Sequence, residues 1–313
     1  MEAERIESDT PACYSETMKN ESNISLETGL AKFMTSLVGK NRSSATVRAY
    51  TTDLMQFFAF LCENDVTVTG AARVGRTHIT DYLAHLSQVH DLSGVTRARK
   101  LVAIREYFRF LVADELLLMS PAEKVEAPRQ ERKTRTRMRQ DEYSRLLSIA
   151  GSNPRDFAIL TVFLQCGIRV SELCALTTSD IDLVTATLTV RSGKGMADRE
   201  IELEKKAVKA LRTYLKDRGD TASPALFLNR YGEPIGDRGI RKLIDRLCKE
   251  AGLEKKISPH IFRHTFASVK AESGKVSPFQ LQQWLGHKDI KTTQIYVHMS
   301  KEYGRKAMEG TSL

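Results

Sequence analysis

No run in the 313 residues approaches the roughly 18 consecutive apolar residues that a membrane-spanning helix needs. A membrane protein is therefore not expected, and a cytoplasmic one is. Met1 to Asn20 is polar and rich in Glu, without the apolar centre of a secretory leader. Cysteine is scarce. The five (Cys13, Cys62, Cys166, Cys174 and Cys248) are odd in number and lack the short spacing of a zinc knuckle or redox pair, so they read as reduced thiols packed on apolar helix faces. No glycine-rich loop ending in Lys-Ser or Lys-Thr is present to cradle a nucleotide phosphate. Internal repeats and low-complexity blocks are absent as well. Acid is in deficit: Lys and Arg exceed Asp and Glu by nine. A basic chain without a membrane signal points to a polyanionic partner, nucleic acid first.

What is present is helical periodicity, in two blocks. Residues 1–23 carry none and read as a disordered tail. Leu26, Leu30, Phe33, Met34 and Leu37 then form an apolar stripe. A second helix, capped at Ser43 or Ser44, carries Tyr50, Leu54, Phe57 and Leu61. A third, capped at Thr77, carries Ile79, Tyr82, Leu83 and Leu86. A fourth runs from about Thr96 to Leu117. Four helices with short connections predict a compact helical domain over residues 24–120. Pro121 and Pro128 mark a break. The run from Arg129 to Arg139 holds six basic residues and one acid, Glu131. Such a run builds no core, so residues 121–138 read as a basic linker. Joining two domains of a basic protein, Arg132, Lys133, Arg135 and Arg137 are expected to lie along DNA phosphates rather than to act as a plain tether.

Residues 139–313 form a longer, mixed domain. Helices are predicted near 140–150, 155–166, 170–176, 205–218, 237–251, 261–273 and 278–285. Thr187 to Arg191 and a segment with Ile201 and Leu203 read as strands around a turn with Gly193 and Gly195, and Leu226 to Leu228 as a third strand. The fold class is thus mainly α with a small β-sheet.

Five segments of this half hold polar residues with a shared use. They are Gly167-Ile168-Arg169-Val170-Ser171-Glu172, Ser192-Gly193-Lys194-Gly195, His260-Ile261-Phe262-Arg263-His264, Trp284-Leu285-Gly286-His287 and Thr292-Thr293-Gln294-Ile295-Tyr296. Singly, each has an ordinary explanation: an ion-pair partner, an exposed turn lysine, a helix cap, a packed tyrosine. Together and in this order they resemble the signature boxes of the tyrosine recombinase family, which includes the Xer recombinases and the lambda-type integrases. The resemblance spans roughly residues 138 to 300, and more loosely the helical half, which is similar to the family's SAM-like core-binding domain.

The resemblance implies a two-domain DNA clamp: a helical core-binding domain and an α+β catalytic domain. It implies Arg169, Lys194, His260, Arg263, His287 and Tyr296 as catalytic residues, with Glu172 holding Arg169. Tyr296 would attack the scissile phosphate to give a 3′-phosphotyrosine, His260 would serve as base and Lys194 as the acid for the departing 5′-oxygen. Two guanidiniums that never lose their charge suit a phosphodiester under attack. They replace metal ions, and no carboxylate cluster suited to Mg²⁺ stands near the boxes. No cofactor is expected. The implied partners are double-stranded DNA with an inverted-repeat core site and three further copies, a homotetramer on two duplexes passing through a Holliday junction. His264 reads as structural, Tyr303 as a poor rival nucleophile, and His298 as packing or a minor phosphate contact. A topoisomerase of the same chemistry and an inactive DNA-binding regulator are the rival readings; the Leu-Gly-His box and the filled set of six positions disfavour them.

Overall fold

The computed structural model describes residues 24–65, 67–129, 136–191 and 198–286. Lys194, His287 and Tyr296 lie outside those residues, as do Arg132, Lys133, Arg135, His298, Tyr303 and the segment 1–23. The chain divides into two compact units, Met1–Lys133 and Thr134–Leu313.

Among the described residues, the first unit holds four α-helices: α1 (Leu26–Gly39), α2 (Ser44–Asn64), α3 (Arg76–Gln88) and α4 (Gly94–Ala113). Three begin with one device. The hydroxyls of Ser25, Ser43 and Ser93 accept the N–H of Thr28, Thr46 and Thr96, satisfying a donor that the helix leaves open. The start of α3 differs from expectation. Thr77 lies inside it, and the Gly75 N–H donates to Nδ1 of His78 at 2.9 Å while His78 Nε2 lies 3.1 Å from Asp65. The imidazole at the third helical position accepts the N–H of the N-cap residue, the part that Glu or Gln plays in a capping box. The apolar stripes meet at Leu54, Phe57, Ile79, Leu101, Ile104 and Tyr107, all fully buried. A Cβ on Gly29 would lie 2.4 Å from the Tyr107 hydroxyl, so α1 and α4 pack closely only because that residue is glycine. One carboxylate, Asp53, is buried, and Arg99 and Lys100 both donate to it.

The second unit contains α5 (Gln140–Ala150), α6 (Pro154–Cys166), α7 (Val170–Ala175), β1 (Ile181–Asp182), β2 (Thr187–Val190), β3 (Arg199–Glu202), α8 (Lys205–Arg218), α9 (Asp237–Glu250), α10 (Pro259–Glu272) and α11 (Pro278–Leu285). The strands form an antiparallel sheet in the order β1-β2-β3, with Val190 opposite Arg199. The expected strand at Leu226 to Leu228 is not one. Its backbone is satisfied piecemeal, Leu226 N–H by the Leu176 carbonyl and Phe227 carbonyl by the Ile235 N–H, with isolated bridges at Ala225 and Leu228. The third strand is β1 instead.

Helix α6 is the centre of this unit, with Ala158 to Phe163 buried throughout and α5, α8 and α10 packed around it. Cys166, at its end, is fully buried, and desolvation pushes its thiol up to about 12, so it stays protonated. The end of the basic run is not a free tether: Met138 is buried and its N–H donates to Thr265 of α10 at 3.0 Å, while Arg137 pairs with Glu272. No described helix is long and apolar enough to cross a membrane.

Candidate active site

The site begins where α6 stops. Gly167 takes a left-handed conformation (φ +60°) that ends the helix, Ile168 is buried, and the chain re-enters helix at α7 with Arg169 as N-cap. Glu172, one turn into α7, closes this start. Its Oε2 accepts the Arg169 N–H and its Oε1 accepts the Arg169 guanidinium, both at 2.7 Å. The expected partner of Arg169 is therefore in place, and it serves as helix cap and counter-ion together.

Helix α10 supplies the second arginine. Pro259 occupies its first turn, where a missing N–H costs nothing. His260 follows, exposed, and Arg263 lies three residues on along the same face, only 7% exposed. Arg263 donates to the Gly167 carbonyl at 2.9 Å and to the Leu285 carbonyl. His264 is half-buried, with Nδ1 3.4 Å from the Ser268 hydroxyl on its own helix.

The end of α11 gathers these groups. Gly286 caps it in a left-handed turn (φ +59°). Three successive carbonyls there accept from three arginines on three different elements: Trp284 from Arg199 of β3 at 2.7 Å, Leu285 from Arg263 of α10, and Gly286 from Arg169 at 3.0 Å. A helix C-terminus leaves its last carbonyls unpaired and carries partial negative charge, so guanidiniums suit it twice over. The next residue in the chain is His287.

Arg199 was not among the expected site residues. It is 9% exposed and holds Glu172 with two bonds, Nη1 to Oε1 at 3.1 Å and Nη2 to Oε2 at 2.8 Å. Burial alone would raise the Glu172 carboxyl. The bonds from Arg199, the Arg169 N–H and the Arg169 guanidinium override it and hold the group down at about 2. Strand alternation carried a signal for Arg199. It shares a sheet face with Ile201 and Leu203, which are buried, and a charged side chain on a core-facing register needs a partner.

Two guanidiniums, Arg169 and Arg199, thus share one carboxylate, and Arg263 joins them at the α11 end, so the cluster keeps a net positive charge. Guanidiniums held in this way are chemically suited to an anion such as a phosphodiester, whose non-bridging oxygens accept their N–H bonds. The structure brings Arg169, Glu172 and Arg263 together and puts His260 one turn from Arg263. Arg137 is elsewhere, paired with Glu272. Among the described residues no three His, Cys, Asp or Glu side chains group as metal ligands.

Residues 136–303 match the model of the phage integrase family, and residues 30–115 match that of the phage integrase N-terminal SAM-like domain. The tyrosine recombinase XerC of Lacticaseibacillus casei (strain BL23) is 35% identical over 274 residues, which cover 84% of this chain and 91% of the relative. The chain belongs to the phage integrase family of tyrosine recombinases. The match takes in every described residue of the site in this recombinase, and Tyr296 as well. Among solved structures it resembles the XerA recombinase (29% identity, TM-score 0.51, covering 91% of this chain and 99% of that one). A lambda integrase tetramer bound to a Holliday junction shares the fold of the recombinase at 18% identity (TM-score 0.72, covering 90% and 82%).

Proposed function

We propose that this recombinase cuts and rejoins double-stranded DNA at core sites built of inverted repeats, through a 3′-phosphotyrosine at Tyr296, without metal or ATP. The observation that carries the reading is the convergence of Arg169, Arg199 and Arg263 on the carbonyls just before His287. In this reading Arg169 and Arg263 hold the non-bridging oxygens of the scissile phosphate, and His287 donates a further bond. A guanidinium has five N–H donors. The contacts to Glu172 and Gly286 engage two of Arg169's side-chain donors.

An ordinary tyrosine has a pKa near ~10. Tyr296 therefore needs the cationic field and a base to attack at neutral pH, and His260, exposed at the start of α10, is suited to take its proton. Lys194 protonates the departing 5′-oxygen. The covalent ester conserves the phosphodiester bond energy, so the freed 5′-hydroxyl of a second duplex reseals the strand without a nucleotide.

Exchange between two duplexes needs four such cuts. The active species is accordingly a homotetramer working through a Holliday junction, the arrangement in which the lambda integrase relative was solved. The basic run supports the DNA on the connecting side, Arg132, Lys133, Arg135 and Arg137 lying on phosphates. Arg137 would exchange Glu272 for a phosphate when DNA binds. A cytoplasmic location follows from a DNA substrate.

The test is strand exchange between duplexes selected from random DNA by binding, in excess EDTA and without ATP. Joint molecules are expected in full yield. A reaction silent in EDTA and restored by Mg²⁺ would overturn the metal-free reading.

A further inference from the structure

In the order of the chain, Lys194 falls between the end of β2 and the start of β3, and the anchors of those two strand ends differ. Its segment leaves β2 after Val190 and enters β3 at Arg199, and these two residues are paired across the sheet. On the entering side, Arg191 reaches Asp180 at 2.6 Å from a largely exposed position. On the leaving side, Arg199 turns inward. Its guanidinium grips Glu172 with both terminal nitrogens and the Trp284 carbonyl with Nε. One planar group therefore ties together the strand that follows Lys194, the turn that presents Arg169, and the helix end that leads to His287.

Charge adds to geometry. Glu172 alone with Arg169 would neutralise it. Shared between two guanidiniums, the carboxylate fixes Arg169 in direction while the cluster stays cationic. Lysine does not reproduce this fork, because its three donors share one nitrogen and cannot span Glu172 and the Trp284 carbonyl in one plane.

We propose that Arg199 is a positioning residue for strand cleavage, clasping the start of β3, the strand that follows Lys194 in the chain, to the Arg169–Glu172 turn and to the α11 end that precedes His287. The inference rests on the proposed function, in which those three residues act on the phosphate. It touches neither DNA nor the reacting atoms.

The experiment measures cleavage of a nicked duplex at saturating protein for Arg199→Met, Lys194→Ala and the double variant, each checked for folding by thermal unfolding. Arg199→Met is expected to slow cleavage by roughly 10²-fold, the scale of a misplacement near 1 Å, while half-maximal DNA binding stays at the same protein concentration. Arg199→Lys recovers part of the rate, and it replaces Arg199→Met throughout if that variant does not fold. The double variant is expected to cleave well above the product of the two single losses, because the second change removes what the first had already displaced. Losses that multiply, or an Arg199 variant that cleaves at the parent rate, would overturn the clasp. An unaltered rate for Lys194→Ala would instead remove Lys194 from the proposed function, and the same cycle run with His287→Ala then decides the clasp.

Discussion

As the pH falls from above 4.5 toward about 2, the Glu172 carboxylate should surrender what it contributes to stability. The folded-state value lies below the ordinary one of 4.5, so the unfolded chain takes up the proton first. The contribution is complete above the ordinary value and lost as pH falls through the folded one. A shift of this size corresponds to something on the order of 3 kcal/mol. Urea unfolding of the parent and of Glu172→Gln over that range isolates the group: the parent's advantage should shrink steadily as acid is added. An advantage constant with pH would mean that the two arginine pairs do not hold the carboxylate as drawn. At this scale the partnership of Arg169 and Glu172 was legible, because three residues along a helix bring side chains together. Arg199 was not, because its partners are Glu172, 27 positions away, and a carbonyl 85 away. Only the strand register marked it, as a charge on a buried face.

Most helices were legible to within a few residues, since each carries an apolar stripe and many also start at a cap or a proline; α4 ends at Ala113, four residues before the expected Leu117. The departures have local causes. The N-cap of α3 is Gly75, which has no capping side chain, and His78 inside the helix bonds back to the Gly75 N–H, a role that no list of favoured capping residues gives to histidine. Strand β1 has two residues, too few for alternation to show. Leu226 to Leu228 is apolar because it is buried, and burial alone does not make a strand. Element ends, more than element middles, build the site, and Gly167 tests that. Its positive φ disfavours any side chain, and a Cβ there would lie 2.2 Å from the Phe266 ring of α10. Its carbonyl also receives Arg263. Gly167→Ala should therefore cost the strain of the left-handed residue, about 1–2 kcal/mol, plus the displacement of α10. Gly252→Ala, at φ +63° with open space around it, should cost the strain alone. Denaturant midpoints compare them, and equal losses would mean that Phe266 yields without moving the helix that carries Arg263.

Across the whole molecule, the boundary between the two units falls within the basic run, a stretch without apolar periodicity. Met138 is the exception that ends the run: one apolar residue among arginines, buried against the second unit. Family membership was legible in five short boxes because phosphoryl transfer by a tyrosine demands particular side chains, whereas the meeting of Arg169 and Arg263 at the end of α11 required the fold. The central claim concerns a residue outside the described ones, Tyr296, and one measurement reaches it directly. A duplex nicked beside the cleavage position traps the protein on DNA, because the short cut strand diffuses away and cannot be rejoined. With the parent protein, a covalent DNA–protein adduct should accumulate in EDTA, and peptide mapping should place the DNA on Tyr296. Tyr296→Phe should bind the same duplex and yield no adduct. An adduct that persists in Tyr296→Phe and disappears in Tyr303→Phe would contradict the account.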